Sequence, residues 1–341
     1  MKKLIKYLLI AGMLGIIAVA GVSWYIVLKP NVKGPTVQEI KIPSGTSFND
    51  LYSLLTSSGV LRNGRTFIIT AKLKRFDRSV KPGFYTLEPS MSNNKIIDII
   101  RSGRQTPVNI TFNNIRTLND LCGRIGAQLE ADSASLMAFF SDVSNYRNDG
   151  FSRETIISVF IPDTYQLYWT TDAQGFYTRM LREYKSFWNE NRVAQAEKLN
   201  LTPVDVSILA SIIDDEIDTD VEKPRIAGVY LNRLRMGMPL QACPTIKFAL
   251  NDFTIRRVLY DHLTVESPYN TYKYSGLPPG PIRCPSKAGI EAVLNAENHD
   301  YLYFEAKADF SGGHHFSRTL AEHNRYADEY QRELNKRKIY Q

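Results

Sequence analysis

The sequence predicts an α+β protein with an N-terminal transmembrane helix, a small α/β domain and a larger, mainly helical domain that carries a small β element. Three observations support this fold class. An uncharged apolar run covers residues 8–28. A strand–turn–helix pattern then recurs up to residue 129. From about residue 125 onward, helical patterns alternate with loops rich in Pro and Gly.

Length and composition indicate a globular protein that is large enough for two domains. The chain has 341 residues, of which 43% are hydrophobic and 23% are charged, and this balance is typical of folded chains. A formal net charge of +7 suits an anionic surface or polymer as a partner. Lys and Arg are not interleaved with aromatic residues in a nucleic-acid-binding pattern, so no nucleic acid is expected.

The first element, residues 1–28, is predicted to be a cytoplasmic tip followed by a membrane anchor. Residues 8–28 are long enough to cross a bilayer, and Trp24 and Tyr25 lie near the far end, where aromatic belts form. The run follows three positive residues, Lys2, Lys3 and Lys6. These charges favour a cytoplasmic N-terminus, which makes the chain a single-pass protein of the inner membrane with its domains periplasmic or otherwise extracytoplasmic.

A cleaved signal peptide is the alternative to an anchor. Residues 18–20, Ala-Val-Ala, resemble a small-residue cleavage site. The apolar run continues past them to residue 28, which favours an uncleaved anchor.

Residues 29–39 read as a short linker, and a small domain is expected over residues 40–105. The strand–turn–helix unit occurs up to three times, with a capping residue before each predicted helix. The copies cover residues 40–59, 84–103 and 108–129, and their caps are Ser47, Ser92 and Thr117. Such units often bind ligands, but a spacer that holds the next domain off the membrane fits the pattern equally.

In the larger domain, residues 106–341, the most informative helix covers residues 201–218. Thr202 is a good N-cap, Pro203 suits the first helical position, and Asp205 completes a capping-box pattern. An apolar stripe is formed by Val206, Leu209, Ile212, Ile213 and Ile217. Spacings of seven, four and three residues place Glu216 on this stripe, whereas Asp214 and Asp215 are expected to point towards solvent.

Glu216 is therefore the candidate catalytic residue. Burial disfavours an ionised carboxylate, so the pKa of Glu216 is expected to rise. A carboxyl group that keeps its proton near neutral pH is what a general acid needs to cleave a glycosidic bond. The alternative is a solvated helix end, with three consecutive acids in an unfavourable position at the negative end of the helix dipole.

A loop in the C-terminal part of the chain carries polar and aromatic residues that suit a binding site. The loop 267–286 is rich in Pro and Gly, and Tyr269, Asn270, Tyr272 and Tyr274 offer the flat faces and hydrogen bonds that carbohydrates need. A structural clamp over the core would use the same residues.

His314 and His315 invite a metal hypothesis, but no H-x-x-x-H or H-E-x-x-H pair occurs, so no metal or cofactor is expected. His314 is expected instead to bond substrate or to brace the acid.

Six ordered motifs resemble the endolytic murein transglycosylase family (MltG/YceG-like), membrane-anchored enzymes that cut peptidoglycan glycan strands. They are IPDTY (161–165), LASIIDDEI (209–217), KPRIAGVYLNRL (223–234), GMPLQACPT (237–245), SPYNTYKYSGLPPGPI (267–282) and YLYF…GGHHFSRTLAEHN (301–324). The resemblance implies a LysM-like small domain followed by the catalytic domain. It places Glu216 at the family's catalytic glutamate. It also places six residues in the substrate cleft: Asp214, Gln241, Thr245, Asn270, Tyr272 and His314.

The chain departs from the family pattern at two positions. Asp214 stands where the family usually has a glutamate, and Cys243 stands where it usually has the aspartate of Gln-x-Asp-Pro-Thr. The loss of that aspartate removes an acceptor close to the expected site. Because the resemblance brings the loop of Cys284 near Cys243, a Cys243–Cys284 disulfide is a further hypothesis.

The resemblance implies a lyase that cleaves the MurNAc–GlcNAc bond within peptidoglycan strands, leaves 1,6-anhydro-MurNAc ends and ends the elongation of nascent strands. The implied partners are glycan strands, the inner membrane through residues 8–28, and peptidoglycan synthases. A non-catalytic peptidoglycan-binding scaffold of the cell-wall synthesis machinery is the alternative from another class, and Cys243 supports it. A true glycosidase, which leaves reducing ends, is a second alternative.

Overall fold

The computed structural model describes residues 2–78, 80–217, 219–337 and 339. The predicted ranges 1–28, 40–105, 201–218 and 106–341 also include positions that lie outside the described residues, namely Met1, Ser79, Asp218, Lys338, Tyr340 and Gln341. The chain forms two compact units. The small unit consists of Met1–Ile110, Gln128–Ala131 and Tyr165–Asp172, and the large unit of Thr111–Ala127, Asp132–Thr164 and Ala173–Gln341.

The first part of the chain alternates strands and helices after a long apolar helix. Its elements are α1 (Lys2–Ser23), a π-helical segment (Trp24–Leu28), β1 (Gln38–Ile42), α2 (Phe48–Ser57), α3 (Gly64–Leu73), β2 (Gly83–Leu87), α4 (Asn93–Ser102) and β3 (Val108–Phe112). β1 and β2 form an antiparallel pair in which Ile40 lies opposite Tyr85. Both side chains are buried in the core of the small unit.

The three predicted capping residues are confirmed. The Ser47, Ser92 and Thr117 side chains each accept a hydrogen bond from the backbone three residues later, because the first turn of a helix leaves N–H groups without intrahelical partners. α3, which lies between the first two copies of the repeat, was not predicted. Its Phe67 and Ala71 face the core of the small unit.

The apolar N-terminal helix is continuous with the small unit. Residues Lys3–Leu28 are long and apolar enough to cross a membrane. The carbonyl of Ile26, in the π-helical segment, accepts hydrogen bonds from Asn93 Nδ2 (2.7 Å) and Thr70 Oγ1 (3.1 Å). Residues 30–32 belong to the predicted linker, yet Asn31 and Val32 are buried. This end of the helix is therefore fastened to α3 and α4.

The rest of the chain is mainly helical. Its elements are α5 (Leu118–Gly126), α6 (Ser133–Ser141), β4 (Asp163–Leu167), α7 (Ala173–Phe187), α8 (Glu190–Lys198), α9 (Pro203–Glu216), α10 (Lys223–Arg235), α11 (Cys243–Leu250), α12 (Lys287–Leu294), β5 (Tyr303–Ala306), β6 (His314–Ser317) and α13 (Leu320–Lys336). Short 3₁₀ turns cover Phe76–Arg78, Val143–Asn145, Arg147–Asp149, Ile156–Val159 and Tyr260–Thr264. β3 pairs with β4, and β5 pairs with β6 in antiparallel fashion.

α9 is the central helix of the large unit. It packs against α10, α11 and α12, and every residue from Val206 to Asp214 is buried. The predicted capping box is confirmed, since the Thr202 side chain and Asp205 bond each other's backbone N–H groups. The helix is thus a core helix rather than one with a single buried face, and this decides how its three acids are placed.

Candidate active site

The first two acids at the end of α9 are buried, so the prediction that Asp214 and Asp215 point towards solvent is wrong. The side chain of Asp215 is only 8% exposed. The stripe of large apolar residues marks one side of α9, but the other side carries the small residues Ser207, Ala210 and Ser211. Small side chains allow neighbouring elements to approach closely, and these residues are buried too. Helical periodicity showed which side is most apolar, not whether the opposite side is covered.

Asp214 ties α9 to two neighbouring segments. Its Oδ1 lies 2.9 Å from Lys223 Nζ, at the start of α10, and both side chains are buried. Its oxygens also accept from Ser286, through the backbone N (2.6 Å) and Oγ (2.8 Å) of that residue. The predicted substrate-binding role of Asp214 stays a prediction, and these contacts favour a positioning role.

Asp215 is held by two arginines. Its Oδ2 lies 2.8 Å from Arg116 Nη1, and its Oδ1 lies 3.1 Å from Arg283 Nη1. Arg283 also donates to the backbone carbonyl of Asp214 (3.2 Å). The last turn of α9 is therefore fixed from both sides, and the next residue, Glu216, projects from a rigid support.

Glu216 is the acid with an unusual proton affinity. Burial raises its pKa from 4.5 to about 7, and the nearby charges of Asp215 and Glu305 act in the same direction. Tyr230, which is buried on α10, donates its hydroxyl proton to Glu216 Oε1 at 2.9 Å and partly offsets the rise. The predicted rise in pKa is confirmed, and the catalytic role of Glu216 remains a proposal.

Glu216 opens onto a cavity of about 380 Å³. The cavity is bounded by the end of α9, the β5–β6 hairpin and α13. Its lining consists of Glu216, Ile217, Thr219, Ala306, Lys307, Phe310, Gly312, Gly313, His314 and Tyr330. Aromatic faces, a lysine and a carboxyl group that holds a proton thus share one recess, which is of the size that small ligands or single sugar residues occupy.

His314 lines the same cavity and is paired with Glu222, which the sequence analysis did not single out. Its Nδ1 lies 2.9 Å from Glu222 Oε2, and its backbone N donates to the same oxygen at 3.1 Å. The carboxylate therefore fixes the orientation of the ring at the cavity wall. Within the described ranges, no group of three or more His, Cys, Asp or Glu side chains converges to hold a metal ion.

Cys243 and Tyr272 form a second polar pair close to Glu216. Cys243 Sγ lies 3.1 Å from the Tyr272 hydroxyl, and burial raises the pKa of the thiol to about 11. Part of that rise comes from the negative charge of Glu216. All three cysteines of the chain are free thiols in the structure, so the hypothesis of a Cys243–Cys284 disulfide is wrong.

Gln241 occupies an unusual backbone conformation at the start of this segment. Its φ of +51° lies in the left-handed region, which a residue with a side chain rarely adopts. Its backbone N donates to Thr271 O (2.9 Å), and its Oε1 accepts from Arg233 Nη1 (3.2 Å). The exposed side chain is thus held in place by Arg233, and the predicted ligand contact of Gln241 stays a prediction.

Thr245 and Asn270 are fully buried, and their side chains bond other protein groups. Thr245 Oγ1 bonds Ala242 O and Thr271 Oγ1, each at 2.8 Å. Asn270 Nδ2 donates to two backbone carbonyls of the preceding turn, and its Oδ1 accepts from Tyr272 N. The predicted ligand contacts of Thr245 and Asn270 stay predictions, and their geometry favours bracing of the loop.

A family model describes most of the chain: the YceG-like family matches residues 40–329. The chain belongs to the YceG-like family. The endolytic murein transglycosylase of Bacillus subtilis (strain 168) is 30% identical to it over 311 residues, which cover 86% of this chain and 85% of the relative. The endolytic murein transglycosylase of Streptococcus pneumoniae serotype 2 (strain D39) is 26% identical over 322 residues, which cover 85% of this chain and 58% of that longer relative.

A solved structure agrees with this assignment. The crystal structure of a YceG-like protein from Listeria monocytogenes shares 29% sequence identity with this chain, at a TM-score of 0.56. The match covers 85% of this chain and 98% of the Listeria chain. The fold of this YceG-like protein is therefore the one seen in that structure.

Sequence reasoning missed three residues around the candidate site of this YceG-like protein. Tyr230 and Glu222 lie on other segments, and nothing in their local sequence shows which acid or histidine they meet. Glu305 gave a usable signal, because it is an acid inside the apolar strand YLYFEA. Burial raises the pKa of Glu305 to about 7 as well.

Proposed function

We propose that this YceG-like protein is a membrane-anchored endolytic lytic transglycosylase that cleaves the MurNAc–GlcNAc bond within peptidoglycan glycan strands. The observation that supports this most directly is a Glu216 carboxyl group that holds a proton near neutral pH at the wall of a cavity. The family assignment and the names of the relatives give the substrate class.

In the proposed reaction, Glu216 acts first as an acid and then as a base. Its proton passes to the glycosidic oxygen, which leaves with the GlcNAc side as C1 of MurNAc gains positive charge. The resulting Glu216 carboxylate takes the proton of the C6 hydroxyl of the same MurNAc, and O6 bonds to C1. The products are a free hydroxyl on the leaving sugar and a 1,6-anhydro ring, and Glu216 is protonated again. A hydrolase with two acids would instead add water.

The surrounding residues prepare Glu216 for both steps. Burial keeps the acid protonated before the bond breaks, and the Tyr230 hydroxyl stabilises the carboxylate that forms afterwards. The ion pairs of Asp214 and Asp215 keep the end of α9 from moving. His314 lies at the cavity wall, oriented by its carboxylate partner, where it is placed to bond a sugar hydroxyl or N-acetyl group.

The decisive experiment is the substitution Glu216→Gln, with Glu197→Gln as its matched control. Glu197 is an exposed glutamate on α8, so its neutral variant tests the loss of a charge alone. Uncrosslinked nascent glycan is digested with each protein, and the ends are identified by mass spectrometry. Glu216→Gln is expected to form anhydro-ended product at least about a thousandfold more slowly than wild type. Its thermal unfolding temperature is expected not to fall below that of wild type, and its glycan binding is expected to stay at the wild-type level. Cleavage by this variant at the wild-type rate would refute the assignment.

The same assay separates the alternatives. A glycosidase leaves hydrated, reducing ends, and a non-catalytic scaffold binds glycan and leaves it intact. Cys243 supports the scaffold, because its neutral thiol replaces the carboxylate that the family usually carries at this position. If Cys243→Asp cuts strands that the wild-type protein only binds, then the wild-type protein is a scaffold.

The N-terminal helix and the small unit give the proposed setting. Residues 3–28 are proposed as a single-pass anchor in the inner membrane, with the N-terminus cytoplasmic and the domains outside. The small unit is proposed as a LysM-like domain, supported by its strand–helix units. Glycan that leaves peptidoglycan synthases is the proposed substrate, and cleavage there would end strand elongation.

A further inference from the structure

One face of α3 combines cations with exposed apolar side chains. Within a 100° sector of this helix lie Arg65, Ile69, Lys72 and Leu73, all of them exposed. Ile69 is 43% exposed and Leu73 is 71% exposed, so this face presents two large apolar side chains one helical turn apart. The sequence of α3, GRTFIITAKL, contains no acid. These four residues form the α3 face.

The α3 face belongs to the helix that touches the end of the apolar anchor. α3 packs against the π-helical segment Trp24–Leu28, and Thr70 on its buried side donates to the carbonyl of Ile26. The apolar run Lys3–Leu28 is slightly longer than a bilayer core requires, so its last turn reaches the interfacial region. α3 is therefore held within about one helix diameter of the headgroups, since the interaxial distance of packed helices is about 8–10 Å.

The chemistry of the α3 face matches an anionic bilayer surface better than a protein or glycan surface. Arg and Lys are attracted to an anionic leaflet, and the α3 face carries one of each. Two branched apolar side chains, Ile69 and Leu73, lie beside these cations on the same face, as in helices that rest at the boundary between headgroups and acyl chains. Lys29 and Lys33, exposed beside the anchor, add to the same charge. The stem-peptide carboxylates of peptidoglycan would pair with the cations but would leave Ile69 and Leu73 in water.

We propose that the α3 face is a lipid-binding surface, which rests on the membrane and takes anionic phospholipid headgroups on Arg65 and Lys72 while Ile69 and Leu73 enter the interface. This rests on the membrane anchor of the proposed function and is independent of the chemistry of Glu216. It gives the small unit a second attachment to the bilayer, so that the anchor and the α3 face together define the orientation of the small unit.

Photo-crosslinking in vesicles tests the proposal. The full chain carries p-benzoylphenylalanine either at Leu73 or at Ser53, an exposed control position on α2, and is reconstituted with phosphatidylcholine containing about 30% or no phosphatidylglycerol. After irradiation, mass spectrometry measures lipid adducts. We expect at least about tenfold more adduct at position 73 than at position 53 when phosphatidylglycerol is present. Equal yields at the two positions, or crosslinks from position 73 to a second copy of the chain, would overturn the proposal.

Reversing the charge of both cations on the α3 face tests whether they bind anionic headgroups. In Arg65→Glu/Lys72→Glu, the adduct at position 73 is expected to fall at least about fivefold in vesicles with phosphatidylglycerol. The matched control, Arg182→Glu/Lys198→Glu, reverses two cations on α7 and α8 and is expected to leave the yield unchanged. An unchanged yield in the α3 variant would refute headgroup binding.

Two controls keep the anchor and the enzyme separate from this surface. Resistance to carbonate extraction reports the anchor, and extraction of the wild-type protein would overturn the anchor together with the α3 proposal. Cleavage of soluble glycan reports Glu216 and is expected to be equal in wild type and in the α3 charge-reversal variant. Loss of cleavage in the wild type would remove the proposed enzymatic function but leave the lipid adducts in place.

Discussion

At the scale of the residue, the proposed chemistry depends on the protonation state of Glu216. Burial and the charges of Asp215 and Glu305 raise its pKa, whereas Tyr230 and Lys247 lower it. The resulting pKa of about 7 lies close to neutral pH, so the group can both give and take a proton.

The first expectation is a pH dependence of cleavage. The acid step needs protonated Glu216, so the rate of anhydro-product formation is expected to fall about tenfold for each pH unit above about 7. Initial rates on soluble glycan, measured from mildly acidic to mildly alkaline pH, give the profile. Glu197→Gln should show the same profile as wild type, and a rate that keeps rising into the alkaline range would contradict the acid role of Glu216.

Tyr230→Phe tests the hydrogen bond that stabilises the carboxylate. The Tyr230 hydroxyl lowers the pKa of Glu216, so its removal raises that pKa and shifts the alkaline limb of the rate profile to higher pH. Tyr168→Phe, at an exposed tyrosine, is the control. If the alkaline limb of the pH–rate profile stayed in place or moved to lower pH, the Tyr230 hydroxyl would not lower the pKa of Glu216.

At the scale of the element, the approach of α12 to α9 fixes the last turn of α9, which carries Glu216. Gly289 on α12 leaves no room for a side chain, because a Cβ there would lie 2.6 Å from both carboxylate oxygens of Asp214. This contact explains why Asp214 is buried although it lies off the apolar stripe of α9.

Gly289→Ala is therefore expected to destabilise the protein. The added methyl group would force Asp214 away from Lys223 and Ser286, at a cost of about 1–3 kcal/mol in the free energy of unfolding. Gly123→Ala on α5 is the matched control, since a Cβ added there would meet nothing within 4 Å, and it should be neutral or slightly stabilising. Urea unfolding measures both, and equal stability of the two variants would contradict the packing account.

Sequence patterns predicted the local elements well and the contacts between them poorly. Caps such as Ser47 were predictable because capping is decided within four residues of the chain. The burial of Asp214 and Asp215 was not, since it depends on cations such as Lys223 that come from other elements. The inward direction of Glu216 was predictable because its neighbours on the stripe belong to the same helix.

At the scale of the whole molecule, a raised pKa is also a statement about stability. The folded protein holds a proton on Glu216 up to about pH 7, whereas the unfolded chain releases it near 4.5. The folded state therefore binds more protons between these values, and its stability falls as pH rises through this window. The raised pKa of Glu305 lowers the stability of the folded state over the same pH range.

Glu216→Gln is expected to remove the contribution of Glu216 to this pH dependence and to leave that of Glu305. Relative to wild type, the variant should gain stability progressively as pH rises from about 5 to about 8, because the neutral amide never has to ionise in a buried position. Chemical unfolding at several pH values measures the difference, with Glu197→Gln as the control whose difference from wild type should stay constant. If the difference in the free energy of unfolding between Glu216→Gln and wild type became smaller as pH rises, burial would not disfavour the ionised form of Glu216.

The two hydrogen bonds to the carbonyl of Ile26 have a mechanical consequence. A transmembrane helix tilts when its apolar length exceeds the local thickness of the bilayer. Because the helix is rigidly connected to the small unit, a change in helix tilt also changes the tilt of that unit. In a thinner membrane the helix would lean further, and the small unit would lean with it. For the membrane anchor proposed above, bilayer thickness would then set the tilt of the small unit relative to the membrane plane.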